Sequence, residues 1–221
     1  MKPIDHEGDQ RLLESLRTRK HHLRQQTRAV MRSLSPQTHH QAGVDVAAVF
    51  IAAGLLPRAG TVALFASRVD ELDSAPLDDL LRRRGLTRAL PRMEGNELVF
   101  VVVDSDAAIH DLPRDRLGIP TPAAGPVVSL AACELVVVPG LAFDRHGGRL
   151  GYGRGFYDRA LVGVEDDRVV GVLEEAQWVK QVPLETHDRR LARLASPAGL
   201  VRCSAAVPDA AASADKGVDD G

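Results

Sequence analysis

The chain has 221 residues, 44% of them hydrophobic and 26% charged, with a formal net charge of −2. That length and balance can bury a sizeable core in one domain, and they exclude a bulk electrostatic pull on nucleic acid or an anionic membrane. No apolar run approaches the roughly 20 residues that span a bilayer, and the start Met1-Lys2-Pro3-Ile4-Asp5-His6-Glu7 lacks the apolar core of a signal peptide.

Residues 1–9 read as a flexible lead. From about residue 10 to residue 33, the spacing of Leu16, Leu23, Thr27, Val30 and Leu34 predicts a helix. It carries Arg17, Arg19, Lys20, Arg24, Arg28 and Arg32 with no acid between them, and Lys20, Arg24 and Arg28 share a face. Such a face is either solvated or anion-binding. A nucleic-acid surface is the weaker third option, because nothing aromatic interleaves the basic residues. Ser35-Pro36 opens a second helix, Ser as N-cap and Pro at the first helical position, running to about Gly54.

Thr61-Val62-Ala63-Leu64-Phe65-Ala66 reads as the first strand. The loop Ser67-Arg68-Val69-Asp70-Glu71-Leu72-Asp73-Ser74 leads to an amphipathic helix that closes at Gly85. Loops at strand carboxyl ends line the ligand crevice of open α/β sheets; the alternative is a charged solvent loop with Asp73 or Ser74 capping the helix. A second strand over 86–90 ends at Pro91-Arg92, and Glu94-Gly95-Asn96 turns into a strand at 97–103, making a hairpin. Residues 104–126 read as loop, 127–132 as a short helix and Leu135–Val138 as a buried strand. Beyond the glycine loop come a helical pattern (Phe156, Ala160, Leu161, Val164), a strand over 168–173, a helical turn at 177–180, a loop over 183–190 and a last strand over 200–203. From about residue 205 the chain has no core former, and a flexible tail is expected. Cys133 and Cys203 form no metal-ligand spacing, which points to reduced thiols in a cytoplasmic protein. Alternating strands and helices indicate an α/β domain with a mainly parallel sheet.

The segment after Val138 holds five glycines between Gly147 and Gly155. No Gly-Lys-Ser/Thr closes it, so it is not a Walker A loop. Gly151 and Gly153 are followed by Gly155 rather than a glycine at 156, which departs from the dinucleotide fingerprint. A glycine-rich turn opening a helix still leaves amides aimed at an anion, and Arg149 and Arg154 can add charge-assisted bonds; the alternative is a flexible turn. Asp158 either favours the helix dipole or holds Mg²⁺ with a second acid such as Asp188, which by itself reads as surface charge.

The run Pro139-Gly140-Leu141-Ala142-Phe143-Asp144, with Arg149-Leu150-Gly151-Tyr152-Gly153-Arg154-Gly155-Phe156-Tyr157-Asp158-Arg159, closely resembles the signature of the 5-formyltetrahydrofolate cyclo-ligase family, also called 5,10-methenyltetrahydrofolate synthetase. The resemblance covers roughly residues 17–205. It takes in Lys20-x-x-Leu23-Arg24, the stretch from Phe65 to Leu77 with Asp70-Glu71-Leu72-Asp73, Pro91 with Gly95-x-x-Leu98-x-Phe100, Ile119-x-x-Pro122, Val182-Pro183 and His187-Asp188.

The resemblance implies a single domain over 10–204 with a Rossmann-like three-layer α/β/α open sheet and a β-hairpin. It implies an enzyme that closes 5-formyltetrahydrofolate to 5,10-methenyltetrahydrofolate using ATP and Mg²⁺. Carried across by position, Lys20, His21, His22, Leu23 and Arg24 correspond to a phosphate-contacting segment. Arg149, Leu150, Gly151, Tyr152, Gly153, Arg154, Gly155, Phe156 and Tyr157 correspond to the nucleotide loop, with Lys20 and Arg154 as the catalytic cations. Asp158 and Asp188 correspond to the metal ligands, and Ala66, Glu71 and Phe156 to folate contacts. Tyr152 stands where some relatives carry a second basic residue, so phosphate charge would rest on Arg149 and Arg154. The expected partners are ATP and the folate alone, acting on a monomer without nucleic acid or membrane. Two other classes compete: a catalytically inactive nucleotide- or folate-binding regulator, and a nucleic-acid binder resting on the basic helix.

Overall fold

Two helices open the described chain, which in this computed structural model comprises residues 6–185 and 188–203. The first, α1 (His6–Ser33), begins ahead of the expected residue 10, so residues 6–9 of the expected lead are helical. Residues 1–5 of that lead and the whole expected tail lie outside the described residues. The second, α2 (Pro36–Ala52), starts as its sequence directs: the Ser35 hydroxyl accepts the Thr38 amide at 3.1 Å, and Pro36 occupies the first turn, where no amide partner is needed.

Strand β1 (Thr61–Ala63) leads to α3 (Ala75–Arg83). Asp73 rather than Ser74 supplies the cap, its Oδ1 taking the Ala75 amide at 2.9 Å, while the Ser74 hydroxyl bonds Ser67. Strands β2 (Thr87–Glu94) and β3 (Glu97–Val102) form the expected hairpin. β2 continues through Pro91 because β1 pairs with it only as far as Ala89, so no parallel neighbour needs the missing N–H.

The expected helix over 127–132 is instead β4 (Val127–Val128), antiparallel to β3, followed by a 3-10 turn. After β5 (Leu135–Val138), the glycine segment folds on itself as a ribbon of β6 (Ala142–Phe143) and β7 (Arg149–Leu150). The helix behind it, α4 (Phe156–Ala160), is only five residues long. Then come β8 (Val169–Val172), a 3-10 turn at Glu175–Gln177 where a helical turn was expected slightly later, the unexpected β9 (Arg193–Ser196), and β10 (Gly199–Arg202).

The main sheet of the described residues runs β10-β9-β8-β5-β1-β2-β3-β4, parallel from β9 to β2 and antiparallel at both edges. The α/β expectation holds. Side chains alternate across it: Leu135 and Val137 face a layer that includes Val46 and Phe50 of α2 and Leu81 of α3, while Val136 and Val138 face Phe143, Leu161 and Val164. The second face is therefore covered by α4, loops and the β6–β7 ribbon rather than by long helices. A fully buried ion pair, Arg88 to Asp78 at 2.8 Å, ties α3 to β2. No helix among the described residues is long and apolar enough to cross a membrane. Both cysteines are free, and burial pushes each thiol up to about 11, so neither is a thiolate at neutral pH.

From β1 the chain builds outward through β2, β3 and β4; from β5 it builds the other way through β8, β9 and β10. The carboxyl ends of β1 and β5 thus flank the topological switch point, where open α/β sheets leave a crevice.

Candidate active site

A cleft of about 1030 Å³ opens at that switch point. Its walls are the loop after β1, the glycine segment after β5 and the basic face of α1, with the β2–β3 hairpin and the 115–121 loop at its rim. One turn of helix advances about 100° per residue, so Arg17, Lys20, Arg24 and Arg28 share the face that lines the cleft.

Lys20 is 7% exposed and its ammonium bridges two carboxylates, Glu185 at 2.7 Å and Asp188 at 2.5 Å. Arg24 donates from Nε to the Gly151 carbonyl at 2.9 Å, which fastens α1 to the glycine segment. Burial, then the charge of Arg28, lowers the Arg24 pKa. Gly153 has φ 101, a left-handed backbone that favours glycine, and it lies close to the Arg24 guanidinium. The buried Arg149 side chain pairs with Asp158 and reaches the Pro139 carbonyl at 3.4 Å. Arg154 is exposed, lies 5.1 Å from the centre of the Phe156 ring and has no ion pair among the described residues. Beneath the loop, buried Asp144 accepts the amides of His146, Gly148 and Val182 at 2.8–2.9 Å, setting the ribbon's turn against the segment that leads to Asp188.

The loop after β1 brings an acid, Glu71, and a base, Arg68, into the same cleft. Glu71 is 8% exposed; its Oε2 accepts the Arg68 amide at 2.9 Å, and its Oε1 accepts the Tyr152 hydroxyl. Burial pushes the Glu71 carboxyl up, against the pull of those two hydrogen bonds. Burial and the neighbouring Glu71 charge raise the Tyr152 phenol well above its ordinary value, so it remains a neutral donor. The Tyr152 ring lies 5.4 Å from the Arg28 guanidinium and 5.6 Å from that of Arg68.

Most of the residues singled out from sequence come together here. Lys20, Arg24, Ala66, Glu71, Asp158 and Asp188 line the cleft, as does every position from Arg149 to Tyr157. His21, His22 and Leu23 do not. The helical turn points them away: both histidines are exposed, and Leu23 packs against Ala142, Leu150 and Val182. His187 lies outside the described residues. Glu185, not singled out from sequence, shares Lys20 with Asp188; its place three residues before Asp188 in one loop was the available signal. The Tyr152–Glu71 contact, bridging 81 positions, had none.

The donor set suits a hard cation. Asp158 and Asp188 offer carboxylate oxygens on one cleft, and Mg²⁺ is commonly held by one or two carboxylates together with substrate phosphates. Among the described residues no group of three His, Cys, Asp or Glu is placed to hold a metal by protein ligands alone.

The chain as a whole has recognisable relatives. The model of the 5-formyltetrahydrofolate cyclo-ligase family matches residues 17–197. The 5-formyltetrahydrofolate cyclo-ligase of Escherichia coli K12 is 31% identical over 173 residues, 75% of this chain and 93% of that protein. The Mus musculus enzyme of the same name is 26% identical over 180 residues, 76% of this chain and 89% of its own. The NMR structure of Aquifex aeolicus 5,10-methenyltetrahydrofolate synthetase superposes with a TM-score of 0.72 at 29% identity, covering 83% of this chain and 92% of that one.

Proposed function

The chain belongs to the 5-formyltetrahydrofolate cyclo-ligase family, and we propose that it closes 5-formyltetrahydrofolate to 5,10-methenyltetrahydrofolate using ATP and Mg²⁺, with release of ADP and phosphate. The observation that carries this reading is a cluster of cations, Lys20, Arg24, Arg149 and Arg154 among them, sharing one cleft at the switch point with a buried carboxylate, Glu71.

The chemistry asks for that combination. A formamide carbonyl is a poor electrophile, and its oxygen is a poor leaving group. Transfer of the γ-phosphoryl of ATP to the formyl oxygen forms an O–P bond and breaks the bond to ADP. N10 then attacks the formyl carbon, the C–O bond breaks, phosphate leaves with that oxygen, and the N10 proton goes to solvent. Neither step needs a protein nucleophile. Both need alignment and neutralisation of phosphate charge.

Lys20, Arg24 and Arg149 present N–H donors from buried or half-buried positions, where charge-assisted bonds to phosphate oxygens are strong. Exposed Arg154 sits on the glycine segment, free to follow the transferred phosphoryl group. Asp158 and Asp188 would hold Mg²⁺, whose charge offsets that of the phosphates. Glu71 orients the folate by accepting paired N–H bonds from the aminopyrimidine edge of the pteridine. Phe156 and Ala66 supply apolar contact beside it.

The test is direct. Purified protein mixed with 5-formyltetrahydrofolate and ATP·Mg²⁺ produces the methenyl chromophore, and omission of ATP or chelation of Mg²⁺ abolishes it. Folded protein that makes no ATP-dependent product would overturn the proposal.

A further inference from the structure

Glu71 is not empty-handed. Its Oε1 already holds a hydrogen-bond donor, the Tyr152 hydroxyl, brought in by the glycine segment. The donor sits at the edge of a flat ring with guanidiniums on its faces, those of Arg28 and Arg68 at 5.4 and 5.6 Å from the ring centre. A flat aromatic system with an N–H or O–H edge on Glu71 is also the description of a bound pteridine. Two such groups cannot use the same oxygen from the same direction.

We propose that Tyr152 is an internal stand-in for the pteridine, which must displace the Tyr152 hydroxyl from Glu71 in order to bind. The inference rests on the assignment of Glu71 to the pteridine made above. The local backbone says which part moves. Arg24 pins the Gly151 carbonyl at 2.9 Å, so the main chain that leads into Tyr152 is held. The motion is therefore a swing of the side chain about its own rotors. Flanking glycines leave room for it, having no side chains to obstruct the ring. In the ligand-free protein the contact keeps a buried carboxylate oxygen satisfied, which would otherwise cost free energy. The same contact sets a threshold for the substrate, because ligand binding must replace one donor with another. Ligands without a donor edge for Glu71 cannot make the exchange, so Tyr152 also raises the selectivity of the site.

Tyr152→Phe isolates the hydroxyl, since the phenyl ring can stay between the two guanidiniums. Titration calorimetry of the full chain with 5-formyltetrahydrofolate, without ATP, measures the effect. Removing the hydroxyl leaves Glu71 short of a donor only in the free protein, so Y152F binds about fivefold or more tighter than wild type. Affinity that is unchanged or weaker would overturn the stand-in, provided that wild type binds and Glu71→Ala loses binding. Wild type that binds no folate, or Glu71→Ala that binds it as well as wild type, would overturn the pteridine assignment itself. Should Y152F not fold, a crystal structure of wild type with 5-formyltetrahydrofolate decides: the pteridine amine on Glu71 with Tyr152 displaced supports the inference, and Tyr152 still on Glu71 overturns it.

Discussion

The cations that line the cleft are not equally informative to remove. Lys20 is buried between Glu185 and Asp188, so truncating it strands two carboxylates and mixes a folding defect with any loss of chemistry. Arg149 is held the same way by Asp158. Arg154 is exposed with no ion pair among the described residues, so little of the fold depends on it. In the proposed reaction its guanidinium is available to meet charge that develops on the transferred phosphoryl group. Arg154→Ala should therefore lower kcat/KM by roughly 10²-fold or more, the scale of a lost charge-stabilising donor, while the melting temperature stays within a degree or two. Steady-state kinetics beside a thermal melt checks both; full activity in the variant would reduce Arg154 to a structural part of the loop.

The elements differ in how far their sequences announce them. Ser35-Pro36, the Gly95 turn and the valines of β5 each carry a local cause, and all three appear where those residues direct. The two-residue strands β4, β6 and β7 were not legible, because two residues carry no periodicity and their pairing depends on closure of longer loops. β9 was missed because Arg193 and Ser196 dilute its apolar signal, although Leu194 and Ala195 are fully buried beside β8. The site divides the same way. Residues of the glycine motif were legible from spacing and resemblance, whereas His21, His22 and Leu23 show that adjacency in a motif does not carry a whole helical turn into a cleft. Glu185 and the partner of Tyr152 belong to long-range packing. The β6–β7 ribbon is a case where a single residue tests an element. Gly147 has φ 82, a Cβ there would stand 2.1 Å from the Leu191 carbonyl oxygen, and its own carbonyl accepts the Leu191 amide at 2.8 Å. Gly147→Ala should destabilise the protein by at least about 1–3 kcal/mol through backbone strain and the forced parting of this contact. Urea unfolding measures it, and a midpoint equal to wild type would mean that the ribbon is not anchored to the 188–191 segment.

At the scale of the molecule, the arrangement follows from topology and charge placement together. The chain departs from β1 and β5 in opposite directions, which opens a crevice. Into that crevice a protein of net charge −2 gathers basic side chains from α1 and the glycine segment, together with the buried acid Glu71. Bulk charge therefore says nothing of the site, and local charge says a good deal. A cleft rich in cations, with the buried carboxylate of Glu71 among them and neither cysteine in its lining, fits the proposed activation of a formyl oxygen better than covalent catalysis by a thiol. The most direct measurement follows the oxygen. With 5-formyltetrahydrofolate labelled by ¹⁸O in its formyl group and unlabelled ATP, the account predicts that the label leaves in inorganic phosphate, one atom for each methenyl product. Unlabelled phosphate, with the label released into water, would contradict phosphoryl transfer to the formyl oxygen.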